Sequence, residues 1–238
     1  MRSAPQDRLD TLAFLDGADP ALLARYEHQA IWRSYAPGDV VVDFDDPTTE
    51  VYLIAAGTVR ITVRSPGGRE LILNELSAGD VIGEIAAIDG APRSANVTAV
   101  VRSRLCCLPA EAFLGIVFAA PPVCRRLLRR MAAKLRLQTE RALEREALTV
   151  RLRLCAELLR LSRRRPTAPP DDARIVSPPP PQHEIAARIG ARREAVSREM
   201  ALLERQGLVG RSGGAILIPR PEALQALIDA GLRDELGA

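Results

Sequence analysis

Three charged residues in the last quarter of the chain have the types and spacing needed to contact DNA bases. Arg193, Glu194 and Arg198 fall within one predicted helix, on its outer face and near its N-terminal half. An arginine can donate two hydrogen bonds to O6 and N7 of guanine, while a glutamate can accept one from N4 of cytosine. The same residues could instead form an ordinary solvated face, with Glu194 and Arg198 paired at i and i+4.

The elements that would position these residues follow a helix-turn-helix pattern. Residues 182–189 predict a short amphipathic helix that ends at Gly190, and residues 192–206 predict a second one. The sequence LVGRSGGAILI then predicts two short strands around residues 212–214, which would form a hairpin or wing, and residues 221–236 predict a closing helix. The side chains expected to face inward are Ile185, Ala186, Ile189, Val196, Met200, Leu202 and Leu203.

The first half of the chain has a different pattern. Between residues 40 and 109, short β-rich runs such as VYLIAA, TVRITVR and ELILNEL alternate with turn signals at residues 37–38, 57, 66–68 and 78–80. Evenly spaced short strands of this kind predict an antiparallel sandwich or barrel.

A long helix is predicted to connect the two halves. From Pro121 onward, apolar residues recur every three or four positions in a heptad-like seam that runs from Cys124 to Ala142 and predicts pairing with a second copy. The pattern shifts near residues 146–149, which predicts a bend and a hinge. A proline-rich stretch from Pro166 to Pro181 predicts a stiff, exposed connector. We therefore expect a first domain at 1–147, with the dimerisation helix at 121–147, and a DNA-binding domain at 148–238.

The composition fits a folded protein of two domains. The 238 residues are 47% hydrophobic and 26% charged, with a net charge of +3. No apolar run reaches the roughly 20 residues that a membrane span needs, and the N-terminal sequence lacks the order of a signal peptide. We therefore expect a cytoplasmic protein without a membrane partner. Four cysteines and two histidines match no metal or haem pattern, so we expect buried thiols and no metal.

The stretch EIAARIGARREAVSREMALLERQGLV resembles the helix-turn-helix of the cyclic AMP receptor protein family, also called the CRP/FNR family. The resemblance implies that Arg193, Glu194 and Arg198 contact a G-rich half-site of a palindrome similar to TGTGA. Ser197 also matches the E-x-x-S-R version found in other branches of that family, which leaves the half-site open. Arg192 and Arg211 complete the residues expected to touch DNA.

The run GDVIGEIAAIDGAPRSANVTA resembles the phosphate-binding cassette of cyclic-nucleotide domains. The resemblance implies a jelly roll in which Glu84 accepts a hydrogen bond from the ribose 2′-hydroxyl, Arg93 pairs with the cyclic phosphate and Ser94 contacts the phosphate or the base. Alternatively, Glu84 and Arg93 form a salt bridge in an empty jelly roll. The other residues expected around the ligand are Gly83, Ile85, Ala95, Ile61 and Leu73.

The residues that would contact the nucleotide base are less well defined than those that would contact the phosphate. In this family the dimerisation helix presents a Thr-Ser pair to adenine, and the matching positions here are Gln138 and Thr139. Glutamine has both a donor and an acceptor, so both cAMP and cGMP stay open as ligands. Gln138 could also serve as a polar residue that fixes the register of the helix pair.

These patterns together predict an α+β regulator with an N-terminal β jelly-roll cyclic-nucleotide-binding domain, a long dimerisation helix and a C-terminal winged helix-turn-helix. It would act as an allosteric homodimer on double-stranded DNA, and the resemblance implies contact with RNA polymerase. One alternative is a CRP/FNR-type regulator with another ligand, such as cyclic di-GMP, or none. A remoter one is a nucleotide-binding subunit that controls a protein partner. An enzyme that uses Glu84 and Ser94 is disfavoured because no histidine lies nearby to complete a nucleophilic pair.

Overall fold

A computed structural model describes residues 7–64, 68, 70–165 and 172–236. Internal contacts divide the chain into two compact units, residues 1–135 and 136–238. The predicted turn at 66–68 and the first part of the proline-rich stretch fall largely outside the described residues.

The first unit is built on two antiparallel sheets. One has the strand order β1-β8-β3-β6 and the other β2-β7-β4-β5. The strands are β1 (Ile31–Tyr35), β2 (Val40–Val42), β3 (Val51–Ala56), β4 (Thr58–Arg64), β5 (Glu70–Ser77), β6 (Val81–Ile82), β7 (Asn96–Ala99) and β8 (Ser103–Leu108). The jelly-roll prediction is confirmed, and β1 is an additional strand that the sequence pattern did not reveal.

The sequence of strand β3 is apolar at every position because both faces of this strand are covered. Val51 and Leu53 pack into one hydrophobic cluster with the helices of this unit. Tyr52 and Ile54 point to the opposite face of the sheet and pack into a second cluster with residues of both sheets. Because side chains alternate across a strand, a strand covered on both faces needs apolar residues at every position.

Helices cover one of these sheets. They are α1 (Pro20–Tyr26), α2 (Glu84–Asp89), α3 (Ala110–Ala119) and the start of α4 (Pro121–Ala147), together with short 3-10 turns before β1. Val123 and Leu127 of α4 are buried in the cluster that contains Phe113. Arg126 donates hydrogen bonds to the carbonyl oxygens of Phe14 and Asp16 at 2.7 and 2.9 Å. The arginine-rich sequence of α4 thus partly serves to attach this helix to the unit.

The second unit contains the remaining elements. They are α5 (Val150–Leu161), β9 (Arg163–Arg164), β10 (Arg174–Val176), α6 (Gln182–Ile189), α7 (Arg193–Arg205), β11 (Gly210–Ser212), β12 (Ala215–Ile218) and α8 (Pro221–Leu236). The strands form one antiparallel sheet in the order β11-β12-β10-β9. Residues from α5, α6, α7 and α8 share one core that includes Leu154, Ile185, Val196, Leu203 and Leu224.

Two expectations about the connections can be compared with the structure. The break between α4 and α5 falls at residues 148 and 149, within the predicted bend at 146–149. The prediction of an exposed connector up to Pro181 is wrong at residues 174–176, because β10 pairs with β9 and β12 and Val176 is buried. The run Arg174-Ile175-Val176 has the β-branched residues that favour a strand, and the surrounding prolines concealed this signal.

The cysteines are free thiols, as expected. Cys106, Cys107 and Cys155 are buried and Cys124 is partly exposed. Burial raises the pKa of Cys106 to about 12 and that of Cys155 to about 11, so both stay protonated near neutral pH. No helix among the described residues is long and apolar enough to cross a membrane.

Candidate functional site

The predicted phosphate-binding cassette lies between β6 and β7 of the first unit. Gly83 follows β6 with a φ of 84°, and α2 begins at the next residue, Glu84. A side chain at position 83 would overlap Nη1 of Arg93, and its Cβ would lie 2.6 Å from the carbonyl oxygen of Glu50. Both the positive φ and the close approach require glycine at this position.

Arg93 is almost completely buried, with 3% of its surface exposed. Its Nε donates to Oγ1 of Thr48 at 3.1 Å, and its Nη2 donates to the carbonyl oxygen of Glu50 at 2.8 Å. The Glu50 carboxylate is 3.5 Å from Nη2 and is itself partly exposed. Nη1 is buried and has no hydrogen-bond partner among the described residues. A buried guanidinium with one unused donor group, beside a glycine, is a suitable site for an anionic oxygen.

Glu84 is buried and is not paired with Arg93. Its Oε1 accepts a hydrogen bond from Nζ of Lys134 on α4 at 3.2 Å. The predicted alternative in which Glu84 and Arg93 form a salt bridge with each other is therefore wrong. The two side chains have separate partners, and their contacts with a ligand stay a prediction.

The other predicted ligand residues occupy positions in and around the cassette. Ser94 is exposed, while Gly83, Ile85 and Ala95 are partly buried. Ile61 lies on β4, where it pairs with Asn74 of β5, next to Leu73. Gln138 and Thr139 lie on α4, with Gln138 partly exposed and Thr139 exposed. Their contacts with a ligand stay a prediction.

The helix-turn-helix of the second unit has nearly the bounds that the sequence predicts. Helix α6 spans Gln182–Ile189, and Gly190 follows it in the left-handed conformation with a φ of 66°. Helix α7 begins at Arg193, with Arg192 as its N-cap residue. Val196, Met200 and Leu203 are buried on its inner side. Leu202, predicted to face inward, is only partly buried.

The predicted DNA-contacting residues of α7 lie on its exposed side. Arg192, Arg193, Glu194, Ser197 and Arg198 are all exposed. Among the described residues, Glu194 and Arg198 form no hydrogen bond or ion pair with each other. Because α7 buries its opposite side, its N-terminal half can present these side chains to a DNA groove.

The predicted wing is formed by β11 and β12. Gly213 and Gly214 both have positive φ values, as a two-residue hairpin turn requires. Arg211 on β11 is exposed and donates from its Nε to Oε1 of Glu204 on α7 at 2.9 Å. The structure therefore gives Arg211 a partner on α7, and its contact with DNA stays a prediction.

Comparison with known proteins identifies the class to which these two units belong. Residues 32–119 match the family model of the cyclic nucleotide-binding domain, and residues 152–227 match the Crp-like helix-turn-helix domain. The cyclic AMP receptor protein of Thermus thermophilus is 32% identical over 203 residues, which cover 84% of this chain and 88% of that protein. The chain belongs to the CRP/FNR family of transcription regulators.

Two further proteins align with this chain over most of their length. The CRP-like cAMP-activated global transcriptional regulator of Mycobacterium tuberculosis is 28% identical over 208 residues, which cover 87% of this chain and 92% of that protein. The structure of FixK2 from Bradyrhizobium japonicum has 25% sequence identity and a TM-score of 0.67, covering 83% of this chain and 96% of that one.

The two regions that match the CRP/FNR family models contain the cassette and the helix-turn-helix, but they do not contain the middle of α4. Gln138 and Thr139 fall in this unmatched stretch between residues 119 and 152. The prediction from sequence also missed Lys134, Thr48 and Glu50. Lys134 precedes Gln138 by one helical turn, and the i, i+4 spacing was a signal that could have identified it.

Proposed function

We propose that this CRP/FNR regulator acts as a homodimer that binds a cyclic nucleotide in the first unit and, in response, changes its affinity for palindromic DNA. The observation that carries the proposal is the buried Nη1 of Arg93, which has no hydrogen-bond partner among the described residues. Such a donor is costly to bury unless a ligand supplies the acceptor.

A cyclic phosphate would meet the needs of this site. It brings a negative charge and oxygen acceptors to the Arg93 guanidinium, and the absence of a side chain at Gly83 lets Nη1 lie close to the cassette backbone. The ribose 2′-hydroxyl would donate to the buried carboxylate of Glu84. Lys134, which is 3.2 Å from that carboxylate, would lie beside the bound nucleotide and could neutralise part of its charge.

We favour cAMP over cGMP because the relatives from Mycobacterium tuberculosis and Thermus thermophilus are named for cAMP. Gln138 and Thr139, one from each subunit, are the residues that we expect to meet the base. A glutamine amide can pair with the edge of adenine or of guanine, so cGMP belongs in the same test. Cyclic di-GMP is the further ligand to include.

The proposed dimer would form along α4. Leu128 and Leu135 are seven residues apart and are 60% and 69% exposed, so α4 presents two large apolar side chains to solvent at heptad spacing. Pairing with a second α4 would cover them and would place two helix-turn-helix units on the two halves of a palindrome. The break at residues 148–149 is the proposed hinge, and contact with RNA polymerase is expected from the family.

Calorimetry of the full chain against cAMP, cGMP and cyclic di-GMP tests the proposal. We expect saturable binding of cAMP or cGMP and a loss of affinity of at least about tenfold for Arg93→Gln, because charged hydrogen bonds are lost. Arg102→Gln is the matched control, since Arg102 is an exposed arginine of the same unit.

Thermal unfolding of each variant separates loss of binding from loss of folding. An Arg93→Gln protein that unfolds like the control but does not bind the nucleotide supports the proposal. If the wild-type chain binds neither cAMP nor cGMP, the proposed ligand class is wrong, and a response to cyclic di-GMP alone would favour that ligand instead.

A further inference from the structure

The break between α4 and α5 lies within the second unit, which begins at residue 136. Helical hydrogen bonding continues up to Leu148, whose N–H donates to the carbonyl oxygen of Glu144 at 3.0 Å. Thr149 has an extended backbone and caps α5, with its Oγ1 accepting from the N–H of Leu152 at 3.5 Å. A hydrogen bond of this length is weak, so side chains that cross the break contribute to holding it.

One arginine holds a carboxylate on each side of this break. Arg160 of α5 donates from Nη2 to Oε1 of Glu144 on α4 at 2.6 Å, and from Nη1 to Oε2 of Glu157 on α5 at 2.5 Å. The side chains of Glu144 and Arg160 are 19% and 26% exposed. Because water is partly excluded from their contact, it is stronger than an ion pair at an open surface. We call the ion pair between Arg160 and Glu144 the clasp.

The clasp is shorter than two other contacts that cross the same break. Nη2 of Arg141 on α4 is 3.6 Å from Oε2 of Glu157 on α5. Nη1 of Arg153 on α5 is 3.5 Å from the carbonyl oxygen of Arg145 on α4. Short charge-assisted hydrogen bonds are the stronger ones, so opening the clasp accounts for more of the cost of moving α4 against α5 than losing either longer contact.

The two carboxylates bound by Arg160 differ in how they would respond to movement at the break. Glu157 lies three positions before Arg160 on the same helix and is buried, so its contact does not depend on α4. Glu144 lies across the break and is partly exposed, so water can hydrate it when it separates from Arg160. Burial lowers the pKa of Arg160, but Glu157 and Glu144 raise it above its usual value. Arg160 thus keeps a buried counter-charge when the clasp opens, which avoids the cost of an unpaired cation.

We propose that the clasp is closed in one of the two conformations of the regulator and open in the other. This inference rests on the proposed function, because it takes residues 148–149 as the hinge. Helices α5 and α7 share one core, so Glu144 acts through α5 as a positioning residue for the DNA-reading helix. The free energy of the clasp is then part of the difference between the two conformations, and a ligand that selects the open one must supply it.

Two titrations of Glu144→Ala test this inference, one of DNA without nucleotide and one of cAMP or cGMP without DNA. We expect both dissociation constants to change by about three- to tenfold, as the loss of a partly buried ion pair would produce. Linkage fixes the signs. The two constants change in the same direction if the nucleotide strengthens DNA binding by the wild-type protein, and in opposite directions if it weakens it. The nucleotide constant is decisive, because Glu144 lies in the unit that does not contain the cassette.

Glu146→Ala is the matched control for Glu144→Ala. Glu146 is an exposed glutamate near the end of α4, and its removal changes the net charge by the same amount. Glu144→Asp keeps the charge but shortens the side chain by one methylene, so we expect it to move both constants in the same direction as Glu144→Ala. Thermal unfolding verifies that each variant is folded, and Glu144→Asp carries the test if Glu144→Ala does not fold.

Shifts of both constants with the signs that linkage requires, in Glu144→Ala and not in Glu146→Ala, support the clasp. Unchanged constants, a change in only one of them, or signs that disagree with the wild-type response would overturn it. A wild-type chain whose DNA affinity does not respond to the nucleotide contradicts the proposed function and the clasp together. A responsive wild-type chain with unchanged constants in Glu144→Ala contradicts the clasp alone.

Discussion

Arg93 and Arg193 carry the same guanidinium group in opposite surroundings. Arg93 is buried, and it is fixed by Thr48 and by the carbonyl oxygen of Glu50. Arg193 is exposed near the start of α7. Substitution of Arg93 should therefore affect both ligand binding and local packing, whereas substitution of Arg193 should affect only what the helix touches.

The readout role of Arg193 leads to a specific prediction. Arg193→Ala should weaken binding to the specific duplex by about 1–3 kcal/mol and relax the base preference at one position of each half-site. The measurement is fluorescence anisotropy at fixed salt, with single-base variants of the duplex. Arg205→Ala serves as the control, because Arg205 is exposed at the opposite end of the same helix. A uniform loss for every base would assign Arg193 to the phosphate backbone instead.

Resemblance to cyclic-nucleotide domains indicated the cassette, but it did not reveal the internal partners of the cassette residues. The sequence drew attention to Glu84 and Arg93, yet their pairing with each other was one of the alternatives. The structure separates them because Thr48 and Glu50, which lie more than forty positions before Arg93, are brought to its side chain. Contacts across such a separation depend on strand pairing, which local patterns do not specify.

At the level of elements, α4 has a different environment along each part of its length. Val123 and Leu127 are buried in the first unit, Leu128 and Leu135 are exposed, and Arg141 is buried in the second unit. Of these residues, Leu128 and Leu135 belong to the heptad-like seam, and the buried ones do not. A single chain therefore leaves an apolar stripe on α4 that a second copy could cover.

This stripe predicts the oligomeric state. Replacing both Leu128 and Leu135 by glutamate should raise the dissociation constant of the dimer at least about a hundredfold, since burial of each leucine contributes about 1.5–3 kcal/mol. Analytical ultracentrifugation over a range of concentrations measures the change. Phe118→Glu is a suitable control, because Phe118 is 76% exposed but lies on α3. If the double variant stays dimeric, the interface lies elsewhere.

The accuracy of prediction differed between helices and strands. Helix α6 was predicted with its bounds, because its amphipathic pattern and Gly190 define both the face and the end. Strands β1 and β10 were missed. They are short, and their sequences carry arginine or flanking proline, so that pairing with β8 and β12 rather than local propensity makes them strands.

For the whole molecule, the proposed switch requires that ligand binding in one unit change the affinity of the other for DNA. The nucleotide can achieve this only through a difference in its own affinity for the two conformations. Typical coupling free energies of about 1–3 kcal/mol correspond to changes of about 5–150-fold in affinity. The break between α4 and α5 at residues 148–149 is where the proposed change of conformation would be absorbed.

The most direct test of this switch is an anisotropy titration of the full chain on a palindromic duplex, with and without cAMP and cGMP at fixed salt. We predict that one nucleotide changes the DNA affinity by about 5–150-fold and that Arg93→Gln removes this difference, whereas Arg102→Gln retains it. Equal DNA affinity of the wild-type protein with and without either nucleotide would contradict the proposed coupling.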